Sequence, residues 1–191
     1  MPITPGRVAW YVTGRFYLDT QGRLQDLGYF LHLEGILGSL FNGTSIGEAS
    51  ARLTFRSAPF TAVPVINGNV AIGLDRRGAF SVYLNEQGGG DFQNPDSFSQ
   101  GTRVAVFERT SVVMGQTLSS PLLGGLAIAS NVFSADLIES SPFTLDGERC
   151  DFRELLPKGI TQWGTMNADP LAVFAPFTHI AAFTGSAVAA G

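Results

Sequence analysis

In the stretch Val8-Ala9-Trp10-Tyr11-Val12-Thr13-Gly14-Arg15-Phe16-Tyr17-Leu18, the residues Val8, Trp10, Val12, Phe16 and Leu18 alternate with Ala9, Tyr11, Thr13, Arg15 and Tyr17. Residues two apart share one side of an extended chain, so this is the period of a long strand with two different faces, not of a helix. The turn formers Asp19-Thr20-Gln21-Gly22 follow, and then Gly28-Tyr29-Phe30-Leu31-His32-Leu33-Glu34 reads as the strand returning in a hairpin.

The same period recurs along the chain. Ala49, Ala51, Leu53 and Phe55 fall on one face and Glu48, Ser50, Arg52, Thr54 and Arg56 on the other, a strand with one dry and one wet side. Val63 to Ile66, Asn67-Gly68 and Asn69 to Leu74 form the strongest hairpin signal, because Asn-Gly supplies the positive φ angles of a tight turn. A second turn at Asp75-Arg76-Arg77-Gly78 leads into Ala79 to Asn85. Thr102 to Met114, with Arg103, Glu108 and Arg109 embedded, and Leu126 to Ile138 are further strands, and Ile160 to Met166 with Ala172 to Val188 make a last pair. Gln87 to Gly101 is a long glycine-rich loop, a candidate lid or rim. One short helix is expected over Asp151 to Leu156, stopped by Pro157-Lys158-Gly159. Ala58-Pro59-Phe60-Thr61, Ser141-Pro142-Phe143-Thr144 and Ala175-Pro176-Phe177-Thr178 are unequally spaced, which excludes a repeat period; proline marks a strand start and phenylalanine an anchor.

Composition narrows the function classes. With 45% apolar residues in 191, the chain holds a core, and it reads as one domain over residues 1–191. Twelve Lys+Arg against 16 Asp+Glu give a net charge of −4 and no basic stripe, which argues against a nucleic-acid partner. The single cysteine, Cys150, has no disulfide partner within the chain and no metal-ligand spacing around it. Without a signal-like apolar run in Met1 to Val8, a cytoplasmic location is the simpler reading. The nearly uncharged tail, Leu171 to Gly191, is broken by Pro176, Thr178, His179, Thr184, Gly185 and Ser186, and reads as a buried strand, not a membrane span.

Several motifs invite chemistry and are better explained otherwise. Gly43-Thr44-Ser45-Ile46-Gly47 matches a nucleophile elbow, but an elbow needs a strand before and a helix after it, and alternation resumes after Gly47. His32, Glu34 and His179 have the donor types of a mononuclear metal site, yet His32 and Glu34 equally suit the wet side of a strand. Asp91, Asn94 and Asp96 offer oxygen ligands without the spacing of a calcium loop. No metal and no cofactor is expected.

The resulting expectation is an all-β, mainly antiparallel barrel of about eight to ten strands with one short helix, an open β-sandwich being the alternative. Lipocalin and allene-oxide-cyclase barrels share that architecture, an analogy of fold alone. A barrel of about eight strands is just wide enough to be filled by side chains or to hold one small ligand. Trp10, Tyr11, Tyr17, Tyr29, Tyr83 and Trp163 are the candidate lining, and His32, Glu34 or Arg103 the candidate catalytic groups that polarise a carbonyl. The expected function is binding of an apolar small molecule and a cofactor-independent cyclisation or isomerisation by conformational restraint. The alternatives are a carrier of a hydrophobic ligand and a structural or assembly protein with a solid aromatic core. Oligomeric state, a homo-oligomer included, is not fixed by the sequence.

Overall fold

The computed structural model describes residues 1–61, 65–67, 70–72, 78–120, 125–167 and 171–191. In chain order its strands are β1 (Val8–Asp19), β2 (Leu24–Leu33), β3 (Leu53–Ser57), β4 (Val65–Asn67), β5 (Val70–Ile72), β6 (Ala79–Leu84), β7 (Thr102–Ser120), β8 (Gly125–Ser140), β9 (Phe143–Leu145), β10 (Glu148–Cys150), β11 (Ile160–Met166) and β12 (Phe177–Ala189). The single α-helix, α1 (Phe152–Leu155), lies between β10 and β11. Eight strands close into an antiparallel barrel in the order β1-β12-β11-β8-β7-β6-β3-β2. Because β1 pairs with both β2 and β12, the ring has no edge strand, and the open sandwich is not formed. β4 and β5 pair antiparallel as a separate two-stranded sheet; the expected turns at Asn67-Gly68 and Asp75 to Gly78 lie partly outside the described residues.

Local chemistry fixes the connections. The β1–β2 turn is an Asx turn: Asp19 Oδ1 accepts from the backbone N–H of Gln21 at 2.8 Å and of Arg23 at 2.9 Å. The Arg23 backbone N–H, more than its guanidinium, holds the Asp19 carboxyl below the usual carboxylate range. Asp151 caps α1 by accepting from the Arg153 N–H at 2.9 Å. Asp146 and Gly147, both at positive φ, turn β9 back into β10. β12 begins at Phe177, after Pro176, later than the alternation suggests, because Leu171 and Phe174 instead pack on an aromatic cluster outside the barrel.

Bulges decide which side chains face inward. In β1 the inward set includes Trp10 and Val12, and in β2 it includes Phe30 and Leu33. Leu31 is an extra residue against β1, so His32, opposite Tyr11, turns outward instead of following Phe30 inside. Val104 is likewise extra against β6, so Arg103 faces out while Ala105, Phe107 and Arg109 face in. Two inward glycines, Gly14 and Gly28, are paired across β1 and β2; a β-carbon on Gly14 would come within 2.8 Å of the Phe183 ring, and one on Gly28 within 2.9 Å of the Phe55 ring. Their absence of side chains is what lets both rings lie flat on the wall.

One end of the barrel is plugged. Phe152 of α1 stands edge-on to Phe107 at 6.0 Å and packs on Phe143 at 5.9 Å, and the Ile3 N–H donates to the Leu155 carbonyl at 2.9 Å. The 87–101 loop does not reach over an end of the barrel. It straps the outside of β1, β2 and β3, burying Phe92 and Phe98 against Tyr17, Leu27 and Tyr29. Thr54 Oγ1 donates to the Phe98 carbonyl at 2.8 Å and Arg56 pairs with Asp96 at 2.7 Å, which pin the strap. Residues 177–189 of the apolar tail are β12, a strand of the barrel wall. No helix among the described residues is long and apolar enough to cross a membrane.

Candidate functional site

The barrel interior is aromatic, and two polar pairs, Asp26 with Arg109 and Trp10 with Gln162, interrupt it. Asp26 projects inward from β2 and Arg109 from β7; Arg109 Nη2 donates to both Asp26 oxygens, at 2.7 and 2.8 Å, with both side chains over nine-tenths buried. The Arg109 guanidinium lies 4.8 Å from the Phe133 ring, 5.1 Å from Phe60 and 5.5 Å from Phe80, an aromatic cage that replaces its water. Phe60 is fixed there by a two-way backbone bridge to Leu24. In the second pair the Trp10 indole N–H donates to Gln162 Oε1 at 2.8 Å. Ser57 Oγ accepts from the Asp26 backbone N–H at 2.9 Å, which ties β3 to the same spot.

Between Asp26 and the Trp10–Gln162 pair lies a recess of about 10 Å³, lined by Trp10, Val12, Asp26, Phe30, Phe55, Phe80, Phe133 and Gln162. That is room for about one water molecule or one oxygen of a larger molecule. Removing two charges from water is costly even when they are paired, so a cross-barrel ion pair is a poor device for stability alone.

The expected site residues are dispersed by the fold. Trp10 lines the recess. Tyr11, His32 and Glu34 come together on the outer face, with His32 Nε2 3.4 Å from Glu34 Oε2, both side chains about half exposed, and the Tyr11 ring 5.7 Å from that of His32. Tyr17 lies under the strap, its hydroxyl donating to the Phe92 carbonyl at 2.9 Å, and burial pushes its phenol far above the ordinary value. Burial, with a smaller contribution from Glu48, also raises that of Tyr29. Tyr83 is half-buried on β6, Trp163 is 44% exposed on the outside of β11, and Arg103 pairs with Glu139 at 2.9 Å on the outer surface. His179 pairs with Leu18 and His32 with Tyr11, so the two histidines sit toward opposite ends of β1. Asp26, Arg109 and Gln162, which are not among the expected site residues, are buried polar groups of the interior.

The remaining motifs resolve locally. Asp91 Oδ1 accepts from the Gln93 N–H at 2.8 Å and Asp96 is engaged by Arg56; among the described residues no group of three or more His, Cys, Asp or Glu could hold a metal ion. Ser45 is exposed in the irregular segment before a three-residue 3-10 turn, Glu48–Ser50, without the strand and helix an elbow requires. Cys150 is buried, and burial raises its thiol.

The fold and these pairs define the class as a closed eight-stranded antiparallel β-barrel with a polar pair inside. No protein family matches the sequence, and no curated protein or solved structure is significantly similar to it.

Proposed function

We propose that this protein is a small-molecule-binding barrel that takes an apolar molecule by its polar end beside Asp26, Arg109, Gln162 and Trp10, and that it acts on it as a cofactor-independent cyclase or isomerase. The observation that carries the reading is the Asp26–Arg109 pair, buried among rings with Asp26 on the wall of a small recess. Aromatic walls hold the body of a flexible molecule in one shape, which lowers a cyclisation barrier by removing conformational entropy beforehand. Polar groups fixed in a dry interior stabilise developing charge without reorganising. In this reading Arg109 takes the carbonyl-polarising part for which Arg103 was the sequence candidate, and Trp10 is the aromatic wall. Carriage of the same ligand without turnover is the lesser form of the proposal.

The small recess favours a second reading, a structural barrel whose aromatic core is solid. A thermal-shift screen against apolar metabolites, confirmed by native mass spectrometry, separates the two. A ligand at a hundredfold excess over its Kd stabilises by about 2.7 kcal/mol, a rise in Tm of roughly 5–10 °C for a chain of this size. Recovery of the ligand chemically changed supports the enzyme, and recovery unchanged supports the carrier. No stabilisation across a broad panel leaves the solid core.

A further inference from the structure

We infer that Arg109 Nη1 is a docking point for the neutral carbonyl oxygen of an apolar ligand, a ketone, ester or lactone, so that the barrel selects such molecules over both hydrocarbons and carboxylates. The inference rests on the small-molecule reading above and gives its ligand a chemical class. Arg109 is 4% exposed, and while Nη2 is occupied by Asp26, Nη1 has no hydrogen-bond partner among the described residues. Charged N–H groups that have lost water without gaining an acceptor are among the most expensive omissions in a protein interior. An oxygen arriving beside Nη1 removes that cost.

The immediate surroundings of Nη1 are close-packed and offer no side-chain acceptor among the described residues. Nη1 lies on the Gly78 side of the guanidinium, 3.1 Å from where a β-carbon on that residue would stand, so its neighbour has no side chain. Phe60, 3.5 Å from the same point, supplies an apolar wall for the rest of the molecule.

Charge then selects among acceptors. Asp26 already balances Arg109, so a ligand carboxylate would bring a second negative charge into a water-poor interior with no second buried cation among the described residues to match it. A hydrocarbon leaves Nη1 as it is. A neutral carbonyl satisfies the donor and adds no net charge, and the hydrogen bond it accepts from a guanidinium polarises it.

The test uses the full chain carrying Trp163→Phe, which leaves Trp10 as the sole tryptophan and its emission as a report on the recess. Cyclohexanone, cyclohexane and cyclohexanecarboxylate are titrated in turn. The ketone is expected to bind roughly tenfold or more tightly than either of the others, the equivalent of one good hydrogen bond to a charged group. Arg109→Lys, which keeps a cation beside Asp26 but lacks the second guanidinium nitrogen, is expected to lose that preference. Equal binding of ketone and cyclohexane, a preference for the carboxylate, or a preference that survives Arg109→Lys overturns the inference and leaves the binding barrel standing. Failure of all three probes to bind overturns both. If Arg109→Lys does not fold, as judged by its circular dichroism melt, the order of the three probes on the parent decides alone.

Discussion

Arg109 and Asp26 are 83 residues apart in sequence, and their ion pair is a chord through the barrel: β7 and β2 are separated in the wall by β6 and β3, yet Nη2 sits 2.7 and 2.8 Å from the two carboxylate oxygens. The pair is therefore a contact between opposite parts of the wall, unlike the cross-strand ion pairs of an exposed sheet face.

Removing one partner strands the other charge. Asp26→Leu or Arg109→Met alone is expected to lower the unfolding free energy by about 3–5 kcal/mol, and the double variant to recover most of that loss. Urea denaturation of the four proteins measures it. A double variant as unstable as the sum of the singles would show that the two charges are not coupled.

Tyr17 sets an alkaline limit. Its phenol is raised from an ordinary value of 10.0 because it is buried under the strap, so above that pH the unfolded chain releases a proton that the folded chain keeps. The stability this proton linkage contributes is fully present below pH 10.0 and is lost as pH rises through the higher folded value. Tyr17→Phe should flatten the fall of Tm above about pH 10 while costing about 1 kcal/mol at neutral pH through the lost hydrogen bond to Phe92. An alkaline limb identical in the two proteins would remove Tyr17 as its source.

Asp146 works on the acid side. Hydrogen bonds from the Arg52 guanidinium at 2.6 Å and the Ser39 N–H at 2.7 Å hold its carboxyl below the usual range. Its contribution is present above the ordinary value of 3.8 and disappears as pH falls through the lower folded value. Asp146→Asn keeps a residue that tolerates positive φ and removes the charge. The Tm difference between parent and variant should be largest near neutrality and close as pH is lowered toward about 3. A difference that stays constant over that range would assign the effect to the turn and not to the charge.

Gly28 tests the packing of the wall. A β-carbon there meets the Thr13 carbonyl and stands 2.6 Å from the Gly14 α-carbon and 2.9 Å from the Phe55 ring. Gly28→Ala should destabilise by about 1–3 kcal/mol or more, as overpacking does. Gly47→Ala, where a β-carbon meets nothing within 4 Å, should stay within about 0.5 kcal/mol of the parent. Chemical denaturation that fails to separate the two would argue against the tight register of β1 and β2.

The strands were legible because alternation is local. The pattern from Val8 to Leu18 became Val8–Asp19, and Ile160 to Met166 was recovered without change. The barrel was legible for the same reason, since many alternating segments with almost no helix leave few other ways to bury their dry faces. The interior was not, because a bulge adds a single residue and reverses parity without altering composition. Counting by twos from Phe30 carries His32 and Glu34 inside, and counting by twos makes Arg103 equivalent to Arg109; Leu31 and Val104 undo both counts. One signal was available: Asp26 and Gly28 share the parity of Phe30 before the bulge, and an acidic residue on an apolar face asks for a buried cation. Asp146-Gly147, between two short apolar-ended segments, is a second hairpin signal in the sequence.

The strap across Tyr17, Leu27 and Tyr29 leaves this part of β1 and β2 with rings pressed on its outer as well as its inner surface. Rings cover those amides on both sides, so they are expected to exchange their hydrogens for deuterium slowly. Opening the seam between these two strands therefore requires the strap to come away as well, which couples a surface loop to the stability of the wall beneath it.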